Sequence, residues 1–183
     1  MNYDINLKPI TKENLDLASK IQNEIFPGED GTLNFIECIN QDPYRKELDY
    51  SIAFDGDIPI GVTGFYSYNE YPDDAWLGWF GVLSKYRNKG YGSIIFDKTV
   101  KLVKDKGYKN FRVYTDEGFQ DAIKFYTKKG MISEVYDNPD DIDPYLPEGI
   151  KTLIFSLNLT DKKIDCWNNK ILGLKEQGIK EHQ

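Results

Sequence analysis

The sequence predicts an α/β fold with a mixed sheet, and three observations predict it. Helical periodicity opens the chain, with apolar residues three and four apart from Leu15 to Ile25. Residues 50–83 then read as strands joined by a tight-turn signal, and from Gly90 to Leu157 helices and strands alternate. At 183 residues the chain suits one domain over 1–160, large enough to bury roughly 70% of its unfolded surface, followed by a tail over 161–183.

Residues 4–10 form the first expected strand. Thr11 then caps a helix running to Phe26, with Leu15, Leu17, Ala18, Ile21 and Ile25 on one stripe, and Pro27-Gly28 stops it. A second short helix is expected over Leu33–Asn40. Tyr50–Phe54 reads as a strand ending at Asp55-Gly56, with Ile58–Tyr66 as its return partner. Ala75–Leu83 is nearly all apolar, as a strand covered on both faces should be. Helical periodicity returns from Gly90 to Lys106, and Gly107 ends that helix. Phe111–Thr115, Met131–Tyr136 and Lys151–Leu157 are the later strands, with a helix over Gln120–Lys129. In the tail, Ile164, Trp167, Ile171 and Leu174 stand among charges, as in a docked helix or a partner contact.

Composition excludes several functions. Hydrophobic residues are 40% and charged residues 29%, the balance of a folded soluble chain. No basic flank leads an apolar stretch at the start, and nowhere do about 18 apolar residues run together, so a cytoplasmic protein without a membrane span is expected. Cys38 and Cys166 are isolated, and the sole histidine is His182, in a stretch where fraying is expected. These residues make no metal-ligand pattern and no histidine triad, so no metal is expected. A formal net charge of −7 argues against nucleic acid as the main partner and suits cationic small molecules or basic peptides.

The segment that carries chemistry is Val82-Leu-Ser-Lys-Tyr-Arg87-Asn-Lys-Gly90-Tyr-Gly92-Ser, set between an apolar strand and an amphipathic helix. Glycines at 90 and 92 let the backbone turn sharply and approach a bulky ligand. The N–H groups of the following helix start point one way and the helix dipole favours an anion such as a pyrophosphate, with Arg87 and Lys89 adding positive charge. A plain strand-to-helix turn also fits the two glycines. The loop has no Gly-Lys-Ser/Thr of a P-loop and no third glycine of a dinucleotide fingerprint.

Arg87-x-x-Gly90-x-Gly92 resembles the acetyl-CoA signature of the GCN5-related N-acetyltransferase (GNAT) superfamily. Ala122-Ile-Lys-Phe125-Tyr126-Thr-Lys-Lys-Gly130-Met131 is similar to a later element of that superfamily, and the two come in the expected order. The resemblance covers about residues 75–136. It implies a strongly twisted mixed sheet flanked by helices, whose central strands splay around acetyl-CoA. It implies that backbone groups of Phe80 and Val82 pair with the pantetheine amides. The loop of Asn88, Lys89, Gly90, Tyr91, Gly92 and Ser93, beside Arg87, holds the pyrophosphate, and Ala122 and Phe125 lie on the cofactor-facing helix. Tyr126 matches the tyrosine near the CoA sulfur and is the implied general acid; packing against Phe125 is the other reading. Two positions depart from the pattern: Phe119 stands where members often carry Asn, and Met131 where Phe is usual.

The implied reaction is attack of a primary amine, of a small molecule or peptide, on acetyl-CoA in a ternary complex, without an acyl-enzyme. A non-catalytic acyl-CoA-binding module is the alternative from another class. The base is less legible. Trp76 occupies the position of the glutamate found in histone-modifying relatives, and Asp74, two residues earlier, shares its side of the strand; a Pro72-Asp73-Asp74 turn is the competing account. Acceptor contacts are expected from Glu29 and Asp30, and from a later loop with Asp140, Asp141, Asp143, Tyr145 and Glu148, whose carboxylates equally suit a solvated loop. A homodimer stays open.

Overall fold

The structure, a computed structural model, describes residues 3–40, 45–167 and 170–175. His182 and the end of the tail lie outside the described residues. The chain folds as two compact units, Met1–Phe111 and Arg112–Gln183.

The first unit holds β1 (Ile5–Pro9), α1 (Leu15–Ile25), α2 (Gly31–Asn40), β2 (Arg45–Asp55), β3 (Ile58–Tyr68), β4 (Asp74–Leu77), β5 (Gly81–Val82) and α3 (Tyr91–Asp105). Its strands pair antiparallel in the order β1-β2-β3-β4, with β5 also against β3. Alternation along β2 sends side chains to two helical layers, and on β3 the register shift opposite Ala53 and Phe54 turns Ile60 to the face opposite Val62. Ile52, Phe54 and Val62 join Ala18, Ile21 and Phe35 of α1 and α2. Ala53, Ile60 and Val82 join Ile95 of α3 on the other face. Under α3 the Thr99 hydroxyl donates to the Ile95 carbonyl at 2.9 Å and accepts the Thr63 hydroxyl at 2.7 Å.

Two expectations are corrected here. The first helix starts at Leu15 rather than Thr11, because Asn14 turns its side chain backward. Its Oδ1 accepts the Thr11 N–H at 2.8 Å and its Nδ2 donates to the Pro9 carbonyl at 2.9 Å, which ends β1 instead of prolonging α1. The apolar run Ala75–Leu83 is two strands rather than one. Leu77 faces Phe65 and Gly81 faces Val62, so the run takes four steps while β3 takes three: one residue is extra, as in a β-bulge. Gly78 lets the chain pass there, since a Cβ would sit 1.9 Å from the Tyr50 hydroxyl.

The second unit takes over within β6 (Asn110–Asp116), followed by α4 (Gln120–Lys128), β7 (Ile132–Tyr136) and β8 (Thr152–Asn158). β8 lies between β6 and β7 and is antiparallel to β7. The tail docks on this unit without helix over residues 161–167 and 170–173. Fully buried Arg112 donates to Ser156 Oγ at 2.7 Å and to the Asp165 carbonyl at 2.8 Å, with its guanidinium 5.4 Å from the ring of buried Trp167.

Candidate active site

The site starts from β5. Leu83 donates its N–H to the Ile60 carbonyl of β3 at 2.9 Å, so one residue earlier Val82 aims its N–H and C=O at the opposite strand edge. Arg87 Nε donates to the Val82 carbonyl at 2.9 Å. That bond uses one of five guanidinium donors, so the charge stays at the loop while the side chain braces β5. Phe80, in the irregular stretch, lies 6.1 Å edge-on from Phe96 of α3.

A 3₁₀ turn, Ser84–Tyr86, leads into the glycine loop. Asn88 has φ of 59° and Gly90 has φ of 88°, two left-handed residues within three positions. That geometry turns successive N–H groups into a concave array. Gly90 is the N-cap of the 15-residue α3, and no side chain caps the helix start. Gly92 follows in the first turn with ordinary helical φ. A Cβ there would meet only a Val82 methyl at 3.8 Å, so packing within the protein does not require glycine at 92. A ligand lying against the helix start would require it.

Tyrosines brace the loop. Tyr91 donates its hydroxyl to Asp55 Oδ2 at 2.6 Å, which pushes its phenol up to about 12. Tyr3 packs on Tyr91 with ring centroids 4.6 Å apart, and its hydroxyl donates to the Lys89 carbonyl. Lys89 bends its ammonium back to the Lys85 carbonyl at 2.9 Å. Tyr91 and Lys89 thus have their side chains committed to shaping the loop, and any ligand contact falls to their backbone.

In the second unit, Ala122, Phe125 and Tyr126 share α4. Tyr126 is 8% exposed, with its ring 5.6 Å from those of both Phe125 and Phe155. Burial pushes its phenol up to about 12. Gln120 bends to the Glu117 carbonyl at 2.7 Å, and Phe119, where a polar residue was expected, is 62% exposed.

The carboxylates foreseen for the acceptor and the base have structural partners. Asp74 is buried at the start of β4, where Asn110 Nδ2 donates to its Oδ1 at 3.1 Å. Asp30 Oδ1 accepts the N–H groups of Thr32 and Leu33 at 2.9 and 3.1 Å, an N-cap for α2 that Asp-Gly at its start would have revealed. Glu29 accepts from Asn34 at 3.3 Å. Asp141 is 3% exposed and is no part of a solvated loop: it accepts the Tyr136 hydroxyl at 2.7 Å and the N–H groups of Leu172, Gly173 and Lys175 at 2.7, 2.8 and 3.2 Å. Tyr145 stays exposed. Burial holds the Cys38 thiol up at about 12, and the Glu134 carboxylate raises that of Cys166, so neither is an activated nucleophile.

Sequence reasoning missed a cleft of about 220 Å³ in the first unit, walled by Leu33 and Glu37 of α2, Arg45, Leu48 and Tyr50 of β2, and Trp79 of the irregular stretch before β5. Trp79 is held by its N–H to the Tyr50 hydroxyl at 3.4 Å and by Phe26, ring centroids 5.1 Å away.

The family model described as the acetyltransferase (GNAT) family matches residues 15–131, and the chain belongs to that family of acyl-CoA-dependent acetyltransferases. A Bacillus subtilis (strain 168) protein, provisionally named as an acetyltransferase, is 27% identical over 127 residues, which are 69% of this chain and 82% of that one. The ribosomal-protein-S18-alanine N-acetyltransferase of Escherichia coli has the same fold, with TM-score 0.66 at 13% identity, over 88% of this chain and 98% of that one. So does a GNAT family acetyltransferase of Elizabethkingia anophelis with acetyl-CoA bound, with TM-score 0.63 at 16% identity, over 85% and 98%. Among the described residues no helix is long and apolar enough to cross a membrane, and no group of three or more His, Cys, Asp or Glu could hold a metal.

Proposed function

We propose that this chain transfers an acetyl group from acetyl-CoA to a primary amine of a small molecule or peptide, by direct attack in a ternary complex in the cytoplasm. The observation that carries this reading is the helix start at Gly90–Gly92, where N–H groups converge and a glycine stands that the protein's own packing does not need. The pyrophosphate lies on the N–H groups of residues 88–93, near the Arg87 charge. The pantetheine runs along the edge of β5 that faces away from β3, with Val82 and Phe80 as its backbone partners.

The neutral amine nitrogen attacks the thioester carbonyl carbon, the C–S bond breaks and the sulfur leaves as a thiolate, and the proton that the nitrogen sheds as the amide forms passes through water to the thiolate, giving the CoA thiol. Tyr126 is assigned to that sulfur. A thiol titrates near 8.5, well below a phenol held at about 12, so the phenol stabilises the thiolate by donating a hydrogen bond and keeps its own proton. The amine loses its proton before attack. Asp74 is fixed and buried, so it would receive that proton only through water, and we assign the transfer to a water relay rather than to direct contact. The two protonated thiols agree with a reaction without an acyl-enzyme. Positioning then supplies most of the rate.

Steady-state thiol release tests the reading. Acetyl-CoA with an accepted amine should release CoA at least tenfold faster than acetyl-CoA alone, and a hundredfold excess of acetyl-CoA over its Kd should stabilise the protein by about 2.7 kcal/mol. No amine-dependent release across a broad panel, together with equal stabilisation by ATP, would remove it.

A further inference from the structure

The cleft walled by α2, β2 and the irregular stretch before β5 contains none of the residues assigned to the donor. Three residues of α2 line it, Leu33, Asn34 and Glu37, at the three- and four-residue spacing of one helix face. Leu48 and Tyr50 alternate onto one face of β2, and a register shift between Arg45 and Glu47 re-aims Arg45. Its volume of about 220 Å³ is that of roughly seven water molecules in the liquid, room for a group of amino-acid size.

Its exposed surface is mainly polar: beside Leu33, Leu48, Tyr50 and Trp79 stand Asn34 and one carboxylate, Glu37, on the helix wall and one guanidinium, Arg45, on the strand wall. Arg45 is stacked over the Tyr66 ring at 4.3 Å, with Tyr68 at 5.6 Å, which fixes the plane of its fork. A planar guanidinium matches a carboxylate bidentately and repels a cation. Trp79 immediately precedes Phe80, whose backbone is assigned to the pantetheine, and so brings this cleft beside the donor's path within the first unit.

We propose that this cleft takes the acceptor and selects an amine that also bears a carboxylate, a free amino acid or small peptide, over a polyamine. The inference rests on the acetyltransferase reading for the role of the cleft. Glu37 holds the ammonium before deprotonation, and Arg45 holds the carboxylate. A polyamine would bring a second cation to Arg45.

Direct binding tests this without turnover, by calorimetry on the full chain with and without CoA. L-leucine is compared with isoamylamine, and L-phenylalanine with 2-phenylethylamine, each pair differing only in the carboxylate; spermidine is the third probe. Each amino acid should bind at least tenfold more tightly than its partner amine and than spermidine. Arg45→Met should remove that preference, Arg45→Lys should keep part of it, and Glu37→Gln should weaken both members of a pair alike. Tighter binding of spermidine, equal losses for both members on Arg45→Met, or no binding by any probe overturns the proposal. Acetyl-CoA stabilisation, measured in parallel, reports on the acetyltransferase reading separately, because it survives if only the acceptor class is wrong.

Discussion

Tyr126→Phe should lower the turnover number by about 10²–10³-fold while changing the KM for acetyl-CoA little. The substitution removes one hydroxyl and keeps the ring, so the contacts with Phe125 and Phe155 persist. A hydrogen bond to a departing thiolate exists mainly in the transition state, and its loss therefore falls on kcat. The pH profile gives a second check. The phenol donates only while protonated, and burial raises its pKa to about 12, so it stays competent through the neutral and mildly alkaline range. No alkaline fall in kcat below about pH 11 should trace to it. Turnover of the variant within about twofold of wild type, measured where chemistry limits the rate, would make Tyr126 a packing residue.

Asp141→Ala should destabilise the second unit by on the order of 3 kcal/mol. The buried carboxylate accepts one hydroxyl and three backbone N–H groups, and alanine leaves those donors without a partner where water enters poorly. Burial and the same carboxylate hold the Tyr136 phenol above its ordinary range, so the donor side of that bond stays protonated in all ordinary buffers. Asp141→Asn keeps one accepting oxygen and should lose less. Hydrogen exchange at Leu172 and Gly173 reads the effect locally: both amides should be protected in the wild type and exchange rapidly in the alanine variant. Unchanged protection would mean that the carboxylate does not hold the tail.

These two residues show how unevenly the sequence announces its structure. The helix that carries Tyr126 was legible because its apolar residues recur at local helical spacing, while the role assigned to Tyr126 comes from the resemblance. The glycine loop was legible for the same reason: Gly90 and Gly92 act within one turn of backbone. Asp141 was not. It lies in a stretch rich in carboxylates, and its burial depends on a tail that returns some thirty residues later. The break at Gly78–Phe80 left no mark in an unbroken apolar run, because it exists only as a register against β3 and as the Tyr50 hydroxyl pressing on Gly78. Asp30 was legible as a helix cap, yet its charge drew attention to ligands instead. The Glu37–Arg45 cleft joins a helix face to a strand face, a pairing that tertiary packing alone decides.

Titration of acetyl-CoA into the wild type, Gly92→Ala and Gly92→Asp tests the central claim most directly, that the helix start at Gly90–Gly92 holds the pyrophosphate. A Cβ at 92 meets only a Val82 methyl at 3.8 Å, so both variants should fold, and alanine should raise stability by up to about 1 kcal/mol through its helix propensity. Aspartate sets a side chain and a negative charge where the phosphate should rest, so acetyl-CoA should bind at least tenfold more weakly, a loss above about 1.4 kcal/mol. An affinity for acetyl-CoA within twofold of wild type in a folded Gly92→Asp protein would contradict the account.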